Sequence, residues 1–270
     1  MYAKDVIMKI IQDLGVDGGV GHVYEYGGPA IEALDMEGRL AVCNMSIEGG
    51  ARAGYINPDE TTYEYLEGRE YVPEGEAFEE RKAYWESIRS EPDAEYDDVV
   101  TIDADGIDPL VTWGINPGQV IEISEPVPHP DDFEARTDRE AAESALEHME
   151  INPGESMLGY DVDVAFLGTC TNGRVSDFAE AAKVLDGETV ADDVRALAVP
   201  GSETVRKECE ARGIDETFIN AGFQWRRAGC SMCLAMNDDA LEGDEVCASS
   251  SNRNFVGRQA RKTPTVLMNP

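Results

Sequence analysis

Positive charge is what this sequence has least of. Lys and Arg together number 22 against 55 Asp and Glu, giving a formal net charge of −33 and a pI near 4.2. Only six of those bases are Lys. A field of this sign repels a phosphate backbone, so nucleic acid is excluded as a partner. Long apolar runs are also missing. No stretch approaches the roughly 18 consecutive apolar residues of a membrane helix, so no membrane association is expected. The start, MYAKDVIMKIIQDLG, brings acids early and has no small-residue cleavage site behind an apolar run, so it does not read as a secretory leader. Six Cys without such a leader argue for metal or thiol chemistry in a reducing cytoplasm, not for a disulfide framework. There is no second Cys-x-x-Cys and no close His pair, as a ribbon-type zinc site would need. The Gly-rich stretch GGVGHVYEYGG lacks a following Gly-Lys-Ser/Thr and opens no G-x-G-x-x-G helix, so it reads as a flexible loop.

What is abundant is acid, spread along the whole chain in runs such as EPDAEYDD, HPDDFEARTDREAAE and MNDDALEGDE. Charge concentrated in one tail would suggest a basic partner; charge spread evenly suits a surface whose self-repulsion is screened by salt. A high-salt cytoplasm is the expected setting. The 42% hydrophobic content is enough for a real core, and 270 residues are enough for two domains.

Helical spacing is clear at Val6, Ile7, Ile10, Ile11 and Leu14, ending at Gly15, and again at Phe78, Trp85 and Ile88. RLAVCNMSIEGGARAG reads as a buried, tightly packed helix, while DDVVTIDADGIDPLVTWG and QVIEIS read as strands. Residues 1–125 are therefore expected to form one α/β domain. Residues 126–157 form an acidic, Pro-rich linker with a short helix, and residues 158–270 a second α/β domain. In that second part a strand over 162–167, a helix from Ser176 and a strand in VRALAVPGS alternate, followed by a Ser202-capped helix and a strand in TFINAG. Strand–loop–helix repeats of this length predict a parallel sheet covered by helices on both faces, with sites at the carboxyl ends of the strands.

Two Cys-bearing loops fall at such ends. Cys170 lies in GTCTNGR, and Cys230 and Cys233 lie in GCSMC. A Cys-x-x-Cys alone serves zinc ribbons, redox dithiols and clusters alike. A thioredoxin-like pair would have no use for Cys170. Three thiolates from two loops fit a cubane with one iron left without a protein sulfur, whereas fully Cys-ligated clusters use four. Cys43 and Cys209 read as structural thiols, and Cys247 is the one alternative for a fourth ligand. His22, His129 and His148 read as surface or packed residues.

The segments LGTCTNGRVSDF, AGFQWRRAGCSMCLAMN and CASSSNRNFVGRQ resemble the signature motifs of the aconitase superfamily. SMCLAMN is most similar to its isopropylmalate dehydratase large-subunit branch, and CNMSIEGGARAG and VTWGINPGQ match upstream. The resemblance runs along the whole chain. It implies an α/β fold and a [4Fe–4S] cluster on Cys170, Cys230 and Cys233. It also implies dehydration and rehydration of a 2-hydroxy dicarboxylic acid, in leucine biosynthesis for that branch. By the same resemblance Glu48 hydrogen-bonds the hydroxyl or water on the open iron, and Asn44 supports it. Asn252 and Arg253 lie beside cluster and substrate, and Arg258 faces a substrate carboxylate. Without the motifs, Glu48 would read as a surface carboxylate and the two Arg as ordinary salt-bridge partners.

The family's preceding segment, with its Asp-His motifs, has no counterpart here, and the chain is expected to be about the C-terminal three-fifths of a large subunit. A small subunit is the implied partner, and alone the chain is expected to have little or no dehydratase activity. Homoaconitase and citraconate- or methylmalate-type isomerases stand as alternatives within the class. A non-catalytic cluster-binding remnant stands as the alternative outside it.

Overall fold

The computed structural model describes residues 2–236 and 238–270. The chain opens with α1 (Ala3–Leu14), followed by β1 (Tyr24–Tyr26), α2 (Pro29–Glu32), α3 (Met36–Met45), β2 (Gly54–Ile56), α4 (Glu60–Leu66) and α5 (Glu76–Ser87). The hairpin β3 (Leu110–Thr112) and β4 (Val120–Glu122) leads to α6 (Arg136–Met149). The remainder runs β5 (Val164–Gly168), α7 (Val175–Leu185), β6 (Arg195–Val199), α8 (Glu203–Ala211), α9 (Ile214–Ala221), β7 (Gln224–Trp225), β8 (Cys247–Ser249) and β9 (Thr265–Leu267).

The main sheet has five parallel strands in the order β7-β6-β5-β8-β9. Side chains alternate faces along each strand. Val164 and Phe166 of β5 join Leu197 and Val199 of β6 in one core, while Leu167 and Ala198 face α7, α8 and α9. On the helix side Phe178 is fully buried and meets Phe218 at 5.5 Å and Trp225 at 5.1 Å, both edge to face. The opposite face is covered by Met232, Leu241 and Ala260 from the connections around the 3-10 turn Ser231–Leu234. The observed class is thus α/β, a parallel sheet flanked by helices.

Local signals explain several helix ends. Asp35 accepts from the Gly38 amide at the start of α3, and Ser202 from the Val205 amide at the start of α8. Gly15, at φ 83°, ends α1 in a conformation only glycine adopts freely. Two segments depart from the sequence expectation. TFINAG is helical, within α9, because Phe218 and Ala221 turn the same face to the core and Gly222 closes the last turn at φ 104°. In DDVVTIDADGIDPLVTWG only Leu110–Thr112 is a strand, and Val99 and Val100 are exposed.

Residues 126–157 pack closely. Val127, Ala142, Ala145, Leu146, Met149, Ile151 and Met157 are buried with Val111 and Trp113 of the hairpin region. Val266 of β9 joins this core, while its neighbour Leu267 joins the core of α1 and α3 on the other side. One strand therefore belongs to the large sheet and to both amino-terminal cores at once. Among the described residues no helix is long and apolar enough to cross a membrane.

Phe178→Ala is expected to lower the unfolding free energy by about 3–5 kcal/mol, as measured by urea denaturation, because the aromatic cluster leaves a void that rigid sheet and helices cannot fill. Raising KCl from about 0.1 M to about 1 M is expected to raise the thermal midpoint, since the Debye length shrinks from roughly 10 Å to roughly 3 Å and acidic self-repulsion fades. A midpoint that falls over that range would contradict the role assigned to the surface charge.

Candidate active site

Three parallel strands deliver the candidate residues from their carboxyl ends. Cys170 follows β5, Cys230 and Cys233 follow β7, and Asn252 and Arg253 follow β8. The connection after β6 backs them. The Gly201 amide donates to the Gly173 carbonyl at 2.7 Å, and a Cβ at Gly201 would lie 2.6 Å from the Thr169 carbonyl and 3.4 Å from Cys170 Cα. Only glycine lets that connection press against the Cys170 loop.

Burial and place in the fold together separate the six thiols. Cys170 and Cys230 are exposed, and Cys233 and Cys43 are half-buried, Cys233 in the turn after β7 and Cys43 on α3. Cys209 and Cys247 are fully buried, and burial pushes the Cys209 thiol up to about 11 and that of Cys247 further still. Burial also raises Cys43, on α3. A thiol that resists ionisation is a poor ligand, because the thiolate is what binds metal. Cys247 lies in the sheet core with Val164 and Phe166, which removes it as a fourth ligand.

Among the described residues no three His, Cys, Asp or Glu side chains gather tightly enough for a single metal ion. The donor set still suits a polynuclear cluster, whose thiolates stand further apart because each binds a different iron. Three accessible thiols and no carboxylate or imidazole among them is soft-donor chemistry of that kind.

From the amino-terminal part, α3 and the 3-10 turn Ser46–Gly49 bring Asn44 and Glu48 to the same place. Thr171, beside Cys170, donates its hydroxyl to Asn44 Oδ1 at 2.8 Å. Asn252 Nδ2 donates to Thr171 Oγ1 at 2.8 Å and to Asn44 Oδ1 at 3.1 Å. Glu48 is 6% exposed. Its Oε1 accepts from Arg253 Nε at 2.6 Å, while its buried Oε2 has no hydrogen-bond partner among the described residues. Burial raises the Glu48 pKa above the usual carboxylate range, and the Arg253 hydrogen bond opposes that only in part. Arg258 places Nη2 at 3.7 Å from Cys233 Sγ. The contacts form three sets: Asn44 and Asn252 with Thr171, the neighbour of Cys170; Glu48 with Arg253; and Arg258 with Cys233. Among the described residues no side-chain hydrogen bond ties Cys230 to them.

Three residues at the site were not singled out from the sequence. Besides Thr171, Ser250 stitches β8 to the Cys170 loop, its hydroxyl accepting from the Gly168 amide and donating to the Gly168 carbonyl, each at 2.9 Å. Lys4 is 1% exposed and donates to the Ser250 carbonyl at 2.7 Å and the Ser251 carbonyl at 2.8 Å. Burial lowers its pKa to about 7, opposed by Asp177 and Asp5. A signal for Lys4 was present: it precedes Ile7, Met8 and Ile11 at three, four and seven residues, on the apolar stripe of α1 where a lysine is out of place.

Residues 1–270 match the aconitase family (aconitate hydratase). Among curated relatives, the 3-isopropylmalate dehydratase large subunits of Haloarcula marismortui and Salinibacter ruber are 63% and 60% identical over 99% and 100% of this chain. That of Rippkaea orientalis is 56% identical over 100% of it. The chain spans 57–58% of the length of these relatives.

Glu48→Gln is expected to be more stable than the parent chain at neutral pH. A carboxyl whose folded pKa is raised binds more protons folded than unfolded, so its contribution falls as pH climbs from the ordinary Glu range through the raised value. Urea unfolding across a pH series is expected to show the gap opening as pH rises and closing on acidification. A gap that widens on acidification would overturn the assignment.

Proposed function

From the premise that this chain belongs to the aconitase family, we propose that it is the cluster-bearing part of a 3-isopropylmalate dehydratase large subunit. It would interconvert 2- and 3-isopropylmalate with a small-subunit partner in the cytoplasm. The observation that carries this reading is where the thiols lie: Cys170, Cys230 and Cys233 follow the carboxyl ends of β5 and β7 in one parallel sheet, whereas Cys43, half-buried like Cys233, lies on α3 and Cys209 and Cys247 are buried.

Those three residues would hold a [4Fe–4S] cluster. When bound, such a cluster supplies an iron without a protein sulfur, which acts as a Lewis acid on a departing hydroxyl. The other work falls to this chain's side chains. Arg253 and Arg258 present planar guanidinium groups suited to the carboxylates of a 2-hydroxy diacid. Glu48, with one oxygen on Arg253 and the other unpaired and buried, is set to take up or release the proton of the hydroxyl that leaves and returns. Its raised pKa brings proton transfer closer to neutral pH. Asn44 and Asn252 are locked to one another and to Thr171, so their amides meet the substrate without reorganising.

Anaerobic iron–sulfur reconstitution tests the ligand assignment. Cys170→Ser, Cys230→Ser and Cys233→Ser are each expected to lose the visible thiolate-to-iron absorbance and the [4Fe–4S] EPR signal, whereas Cys247→Ser and Cys43→Ser keep both. A cluster that survives all three of the first changes sinks the assignment. Turnover of 3-isopropylmalate is expected once the remaining length of the large subunit and a small subunit are supplied. Turnover of homologous or methyl-substituted diacids in its place would redirect the substrate assignment within the family.

A further inference from the structure

The Cys-x-x-Cys turn is held by what lies between its cysteines. Met232 is fully buried in the sheet core with Val164, Phe166 and Leu197, and Ser231 is buried beside it. Cys230, by contrast, is exposed. The two inner residues are thus the anchors, and the first thiol is left accessible. The backbone closes tightly around them, with the Cys233 amide donating to the Cys230 carbonyl at 3.0 Å and the Met236 amide to the Ser231 carbonyl at 3.0 Å. Closing it this way puts Ser231 at φ 46°, in the left-handed region that a non-glycine residue avoids. Something outside the turn must hold Ser231 there.

That partner is Asp239, itself 7% exposed. Its Oδ2 accepts from Ser231 Oγ at 2.7 Å, and its Oδ1 accepts from Arg226 Nη2 at 2.6 Å. Arg226 is in turn fixed to the sheet, its amide donating to the Ala198 carbonyl of β6 at 2.9 Å. A relay therefore runs from β6 through Arg226 and Asp239 to the residue between the two cysteines. A carboxylate suits the middle position because its two oxygens accept from both partners at once, and the guanidinium offsets a negative charge that would otherwise sit close to thiolates.

We infer that Asp239 is the positioning residue of the Cys230–Cys233 turn, fixing through Ser231 where the two sulfurs stand for the cluster. The inference rests on the cluster reading above. Asp239 itself contributes no ligand. It acts on the ligands as an outer hydrogen-bond partner acts on a metal-bound histidine, where removal costs about 10–100-fold in metal affinity.

The test compares the parent chain with Asp239→Ala and Asp239→Asn. The amide can offer its oxygen to Arg226 and its NH2 to Ser231 Oγ, so Asn should restore most of what Ala loses. One readout uses the cluster-free chain: rates of alkylation by iodoacetamide at each cysteine, followed by mass spectrometry. In Asp239→Ala, Cys230 and Cys233 are expected to change rate several-fold with Cys170 unchanged and the unfolding midpoint nearly so. The second readout uses the reconstituted chain: the half-life of the visible absorbance under an iron chelator. Asp239→Ala is expected to shorten it about tenfold, and Asp239→Asn to stay close to the parent. A folded Asp239→Ala that matches the parent in both readouts overturns the proposal. So does a variant in which Cys170 changes as much as the other two, since that is general loosening. If the parent chain takes up no cluster, the functional reading fails, while the alkylation rates still decide the role of Asp239.

Discussion

An ammonium group with almost no access to water joins the two parts of the site. Lys4 comes from the first helix and reaches the carbonyls of Ser250 and Ser251, immediately before Asn252 and Arg253. Burying it is costly, and the depression of its pKa to about 7 expresses that cost. The carbonyls and the nearby carboxylates of Asp5 and Asp177 offset it. Asp5 also accepts from the Leu110 amide at 3.0 Å and from Asn269. Neighbouring residues on one helix thus fix the end of β8 and the entry to β3. Arg253 can meet Glu48 only because the loop that carries it is held against α1 in this way.

The same principle, burial sorting chemically identical groups, governs the thiols. All six cysteines share one side chain, yet the sheet core and helix packing hold Cys209 and Cys247 as neutral thiols. Cys170, Cys230 and Cys233 lie where chain leaves the sheet. Parallel topology makes this unavoidable, because the loops at the carboxyl ends of successive strands converge on one edge. Met232 and Ser231 then decide that the Cys-x-x-Cys turn sinks its middle and keeps its first sulfur accessible.

The local electrostatics run against the global charge. On a chain of net charge −33, Lys4, Arg253 and Arg258 gather around Glu48 and Cys233. The acidic surface repels itself, but the interior of the site brings cationic side chains against a buried carboxyl and a thiol. Glu48 carries the tension between the two. It is paired on one oxygen and orphaned on the other, so it sits above the usual carboxylate range despite the guanidinium beside it.

The sequence by itself determined which segments are candidates for the site. Contiguous words such as GTCTNGR, GCSMC and SNRNFVGR carry their residue types at fixed local spacing, and the helices α1 and α5 announce themselves by periodicity. These are short-range properties, legible because they depend only on neighbours in the chain. Tertiary structure decided which partners those residues take. Glu48 and Arg253 are 205 residues apart, Asn44 and Thr171 are 127 apart, and Lys4 and Ser250 are 246 apart. No local pattern encodes such pairs. It also decided that TFINAG is a helix, since the burial of Phe218 against Phe178 and Trp225 outweighs a weak strand preference. Cys247, an open alternative for a ligand in the sequence, became a core residue once β8 paired with β5. Burial is a property of the folded surface, and only the fold could assign it.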